Sequence, residues 1–235
     1  MMPGDPGTMV PMADPHPRLY GVYPAQVRDV QDPDGQGRIR IELPMVNGDD
    51  GPDAQPWARL ATMMAGGDRG TWFIPEPGDE VLVVFVGGDP RRPVVIGALW
   101  NGHDTPPETM DADNNIRSIT SRSGHVLTFD DTSGSEKVQL ETQGGHHLTL
   151  DDAAGGTITL SHSNGARIEF DAAGNIKMTA NAQVEISAPA MLKVTAGMVQ
   201  VDAPLSRFSG VVQADTVITN SVISASYTPG AGNIW

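Results

Sequence analysis

The chain contains no cysteine. Disulfide frameworks, thiolate zinc sites and thiol nucleophiles are therefore excluded. Aromatic residues make up only 5%, little for 235 residues that had to bury one large core unaided. Positive charge is also scarce: 15 Lys+Arg stand against 29 Asp+Glu, a formal net charge of −14. Residues 1–114 hold 8 basic and 18 acidic side chains. That balance argues against a nucleic-acid or anionic-membrane surface, since phosphate binding needs a cationic footprint. Long apolar runs are missing too. The longest, Val81–Val86, falls far short of the ~20 residues of a membrane span. Residues 1–18 carry five prolines and no apolar run, and read as a Pro-rich arm rather than a signal or transit peptide. What is plentiful is Gly (27) and Pro (19), a turn-rich composition still below that of a structureless chain.

Between Leu19 and Trp100 the pattern is that of strands with tight turns. Arg38–Leu43 places apolar residues at Ile39, Ile41 and Leu43, the alternation of a strand with one wet face. Tyr20–Val27, Trp57–Ala61, Val81–Val86 and Pro93–Trp100 complete a set of five predicted strands, with Val81–Val86 apolar on both faces and so expected to be central. Five strands in about 80 residues predict a small closed barrel of OB type.

From Ile116 onward the chain is repetitive. Gly124-His125-Val126-Leu127-Thr128-Phe129-Asp130-Asp131 recurs as Gly145-His146-His147-Leu148-Thr149-Leu150-Asp151-Asp152. A third copy begins at Gly165 and runs to Asp171. Each is followed by a second strand, at Lys137–Leu140, Thr157–Leu160 and Asn175–Met178, so the unit is strand, Asp/Gly turn, strand. Beyond Met178 the repeat shortens to steps of seven or eight residues through Val184/Ile186, Leu192/Val194 and Val199/Val201. Each repeat offers two or three apolar residues on one face, too few for a lone ribbon in water. From Ala182 to Trp235 the only charged side chains are Glu185, Lys193, Asp202, Arg207 and Asp215. Exposed strand edges of that composition aggregate unless paired. The pattern predicts three intertwined copies sharing one interior.

Taken together, Tyr23-Pro24-Ala25-Gln26-Val27, Gly37-Arg38-Ile39-Arg40-Ile41, Trp57-Ala58-Arg59 and the ordered string from Pro75 through Gly88-Asp89-Pro90-Arg91-Arg92-Pro93 to Asn101 resemble the central spike proteins of contractile tails. That family comprises phage baseplate assembly protein V, the C-terminal half of VgrG, and the spike of extracellular contractile injection particles. The resemblance implies an all-β fold: an OB-fold domain over 19–105, a linker over 106–115, and a trimeric β-helix or β-prism needle over 116–235. It implies a homotrimer without enzymatic activity or cofactor, assembled in the cytoplasm and then part of a phage tail or injection particle. Expected partners are a separate hub protein and the tail tube above, baseplate wedge proteins around, and a PAAR-type tip protein at the apex. The target membrane is met only on puncture. Tyr227, Pro229, Asn233, Ile234 and Trp235 are expected to form the tip-docking apex. Arg69, Arg91 and Arg92 are expected in hub-facing barrel loops. A trimeric receptor-binding fibre and an envelope-degrading spike are the competing readings.

Residues that suggest other chemistry have simpler explanations. His146-His147 and His125 invite a metal site on a threefold axis, but they occupy equivalent places in a repeat, so repetition is the simpler cause. Asp130-Asp131 and Asp151-Asp152 suggest Ca²⁺ ligation or a carboxylate dyad. They lie in solvent turns with no cleft between them, where Asp serves as a local acceptor. Gly66-Gly67-Asp68-Arg69-Gly70 lacks the Gly-Lys-Ser/Thr and following helix of a phosphate loop.

Overall fold

The structure is a computed structural model that describes residues 18–44 and 55–225. The expected apex residues Tyr227, Pro229, Asn233, Ile234 and Trp235, and nearly all of the Pro-rich arm, lie outside the described residues. By internal packing the chain divides after Gln183.

The first unit opens with β1 (Tyr23–Asp29), β2 (Ile39–Glu42) and β3 (Trp57–Leu60). A hairpin with very short arms follows, β4 (Ala65–Gly66) and β5 (Arg69–Gly70). Then come β6 (Glu80–Phe85) and β7 (Pro93–Leu99). Strands β1-β2-β3-β7-β6 close into a barrel in which only β3 and β7 run parallel. All five predicted barrel strands are present. The hairpin β4–β5 is an addition, at the glycine-rich stretch read from sequence as a plain loop.

Alternation decides the core. Val27, Ile39, Ile41, Ala58, Val81 and Val83 are fully buried, with Ala25, Leu43, Phe85 and Val95 nearly so. Tyr23 meets Phe85 edge-on at 5.7 Å between ring centroids, a favoured aromatic geometry. Register shifts between Val27 and Asp29 in β1, and between Leu82 and Val83 against β7, bend the ribbon. Such bulges sharpen the local twist and help a short sheet to close.

The turns carry their own chemistry. Asp32 accepts the backbone N–H groups of Asp34, Gln36 and Arg38, and the Arg38 Nη2 at 2.6 Å. The Arg38 guanidinium, seconded by those amides, holds the Asp32 carboxyl well below the usual carboxylate range. This single side chain fixes the β1–β2 turn. Gly88 sits at φ +76°, and a Cβ there would come within 2.9 Å of the Tyr20 ring, so the β6–β7 loop requires glycine.

After the linker the chain forms β8 (Ile116–Thr120), β9 (Val126–Asp130), β10 (Lys137–Glu141), β11 (His147–Asp151), β12 (Thr157–Ser161), β13 (Arg167–Phe170) and β14 (Ile176–Thr179). They pair in sequence order as one antiparallel meander of seven strands. Six spacings of about 4.8 Å give it a height of roughly 29 Å. The Asp/Gly turns close one edge. Asp130 Oδ1 accepts from the Thr132 amide, Asp151 Oδ1 from the Ala153 amide, and Asp171 Oδ1 from the Ala173 and Asn175 amides. Barrel and meander touch where Arg122 Nη1 donates to Glu76 Oε1 at 3.0 Å.

The second unit, described from Val184 to Ala225, contains no ladder-paired strand among its described residues, and all of them are exposed. The short apolar pairs expected to form strands, such as Val184/Ile186 and Val199/Val201, are in no ladder among the described residues.

Candidate functional site

The meander presents a broad surface rather than a cleft. In the meander the strand registers align side chains into straight rows. One row runs Arg117, Phe129, Val138, Leu150, Ile158, Phe170, Ile176, and a second runs Ile119, Leu127, Leu140, Leu148, Leu160, Ile168, Met178. The rows are two residues apart along each strand, so they share a face. Between them, on the other face, runs Ser118, Thr128, Gln139, Thr149, Thr159, Glu169, Lys177. Sequence alternation has therefore been turned into one apolar and one polar side.

The apolar side is open in the single chain. Leu160 is 54% exposed, and Ile119, Phe129, Leu140, Leu148, Leu150, Ile158, Phe170, Ile176 and Met178 are all exposed. Burying a large aliphatic side chain is worth about 2 kcal/mol, so covering the exposed half of each is worth about 1 kcal/mol. Ten such residues give on the order of 10 kcal/mol per chain, or about 30 kcal/mol for three chains. That exceeds the lower estimates of the association cost. The same condition holds in the second unit, where Val211, Ile218 and Ile223 are almost fully exposed. A soluble monomer rarely displays so continuous an apolar surface.

The histidines do structural work at the other edge of the meander. His125 Nδ1 accepts the Gln143 amide at 3.2 Å, and His146 Nδ1 accepts the Ser163 amide at 3.3 Å. Each imidazole thus ties its turn to the next turn on that edge. His146 also lies against His162, with ring centroids 4.2 Å apart. His147 begins β11 and stands 3.8 Å from Glu141. Among the described residues, no three His, Asp or Glu side chains converge on a point that could hold a metal ion. The Asp turns use their carboxylates internally. The Thr132 hydroxyl and amide lower Asp130, and the Asn175 side chain and backbone lower Asp171.

The three arginines expected in hub-facing barrel loops lie at two ends of the barrel. Arg91 and Arg92 lie in the β6–β7 loop, at the barrel end where β1 begins. Arg91 donates to Asp89 at 3.0 Å, which holds the Asp89 carboxyl down to about 2. Arg69 is on β5, between β3 and β6. Leu60 follows the residue pair Ile39/Ala58, and Glu80 pairs with Leu99, so this hairpin emerges at the end from which β7 leaves toward the meander. The signal for this separation was in the strand order, not in the arginines themselves.

Residues 23–100 match the family model of the type VI secretion system/phage-baseplate injector OB domain. Residues 137–204 match that of the phage baseplate V C-terminal trimerisation domain. An injector barrel and a trimerisation domain thus lie in one chain, and the chain belongs to the phage baseplate V/VgrG spike family. Its trimerisation domain, which includes most of the open apolar face, supports a homotrimer. Among similar proteins is the actin cross-linking toxin VgrG1 of Vibrio cholerae, 28% identical over 59% of this chain and 14% of that protein. The type VI secretion system spike protein VgrG3 of the same species is 29% identical over 47% of this chain and 11% of its own length. The spike protein VgrG4b of Pseudomonas aeruginosa is 30% identical over 57% of this chain and 18% of its own length. The chain thus spans less than a fifth of the length of the relatives it matches.

Proposed function

We propose that this chain is the non-enzymatic central spike of a contractile injection machine or phage tail baseplate, a homotrimer that joins hub and tube to the tip and punctures the target envelope. One observation carries the reading: an apolar sheet face, open in one chain, lies within a trimerisation domain directly downstream of an injector barrel. Three such faces turned inward make a prism whose interior is dry and whose edges are paired between chains. The needle over 116–235 is then a β-helix or β-prism, and stiffness is its function, because continuous ladders leave no hinge to absorb the thrust of contraction. The barrel over 19–105 seats under a separate hub protein and the tube, with wedge proteins around it. Arg91 and Arg92 lie on the barrel end away from the needle and are the hub-facing arginines of this reading. The apolar apex Tyr227, Pro229, Asn233, Ile234 and Trp235 receives a PAAR-type tip. The trimer assembles in the cytoplasm and leaves it as part of the particle.

Deletion of Tyr227–Trp235 tests the tip assignment. The shortened chain should remain a trimer by sedimentation and lose co-purification with a PAAR-type tip protein. Retained tip binding would contradict the apex assignment. Peptidoglycan turnover by the purified trimer would contradict the non-enzymatic assignment.

A further inference from the structure

The barrel carries an apolar projection that the spike reading leaves without a task. The hairpin β4–β5 and its flanks present Met63 at 89%, Trp72 at 76% and Phe73 at 66% exposure, with Met64 beside them. Trp72 stands over Gly37, where a Cβ would lie 3.6 Å from the indole, so the β1–β2 turn backs the projection and holds it outward. A second unpartnered surface lies at the same end of the barrel, in the linker to the meander. There Trp100, Pro106, Pro107, Met110 and Ile116 line an open cleft of about 280 Å³. Trp100 and Met110 are both well exposed.

We infer that the hairpin of one copy docks into the linker cleft of the next copy, closing a head-to-tail ring of three barrels at the top of the needle. The inference rests on the trimeric spike reading and adds to it a specific interchain contact. Three observations select a second copy as the occupant. Projection and cleft both lie at the needle-side end of the barrel, so the contact continues the interface of the trimerisation domain rather than opening a new one. The two surfaces differ, and unlike surfaces on identical chains pair head to tail and close into a ring when the symmetry is threefold. Their charges also match. The hairpin brings Arg69, next to its tip residue Asp68, while Glu108 and Asp111 line the cleft. Shape supplies the contact and charge fixes its direction, as in other protein interfaces.

The absence of cysteine allows a direct test. Met63→Cys and Met110→Cys are introduced together into the full chain, both at exposed positions where the change leaves the fold intact. After sedimentation confirms the assembly, the sample is oxidised and run on a denaturing gel. The double variant is expected to give a covalent trimer, and each single variant a chain of 24.9 kDa. In the double variant, Arg69→Glu should slow cross-linking several-fold at low salt, and adding Glu108→Lys with Asp111→Lys should restore it. A sedimenting trimer that yields no cross-link overturns this inference and leaves the spike reading standing; the hairpin is then free for another protein. A cross-link within one chain overturns it as well. A sedimenting monomer overturns both.

Discussion

Replacing Leu160 by Asp probes the apolar face at its middle. Leu160 lies on β12 between Leu148 and Ile168, with half of its side chain uncovered in the single chain. The covering that a trimer supplies is worth about 1 kcal/mol per copy, or about 3 kcal/mol per assembly. An aspartate at this position also places three carboxylates in one dry interior, each with an effective penalty of several kcal/mol. The sum is on the order of 10 kcal/mol, a change of about 10⁷ in the assembly constant. The control is Thr159→Lys, one residue away on the opposite face, where the new ammonium stands beside Glu169. A surface change of that kind stays within about 0.5 kcal/mol. Analytical ultracentrifugation at micromolar concentration reads both variants. L160D should sediment as a monomer or aggregate and T159K as a trimer. A trimeric L160D with an unchanged melting temperature would refute the assignment of this face to the interior.

Further outcomes follow from the same packing. Ile41→Ala, at a fully buried barrel position, should cost about 3 kcal/mol and speed hydrogen exchange in β1, β2 and β6 while the assembly stays trimeric. His146→Ala removes the acceptor for the Ser163 amide and should cost about 1 kcal/mol, seen as faster exchange at Ser163 with the neighbouring strands protected. Asp89 is held at about 2 by Arg91, so its ionised form is favoured in the folded barrel. Its contribution is complete above the ordinary carboxylate range and fades as pH falls toward 2. The melting-temperature gap between the native chain and Asp89→Asn should therefore narrow as the pH is lowered through that range; a constant gap would contradict the assignment.

The barrel was legible because each strand obeys period two over a core made by one chain. Ile39, Ile41, Val81 and Val83 needed only alternation to be placed. The meander was legible for a second reason: the Gly-His and Asp-Asp repeats mark both turn edges, so register follows from spacing. The hairpin at Ala65–Gly70 was missed because its arms are two residues long, below any periodic signal. The split of Arg69 from Arg91 and Arg92 was hidden for a different reason, since which end of a barrel a loop occupies depends on strand order and the parallel pairing of β3 with β7. The histidines illustrate a third limit. Their repetition was visible, but the amide each one accepts belongs to the next turn along that edge, at Gln143 and Ser163. Beyond Met178 the short repeats foretold strands, and the described residues from Val184 on contain no paired ladder, so alternation alone did not yield strands within one chain.

Whether one copy can stand alone decides between a shared interior and a self-sufficient fold. Sedimentation of the intact chain at falling concentration measures this directly. A shared interior requires a species of three times 24.9 kDa that persists to low micromolar concentration and loses its β-sheet signal only together with its trimeric mass. A soluble species of 24.9 kDa with a cooperative melt of the repeat segment would contradict it.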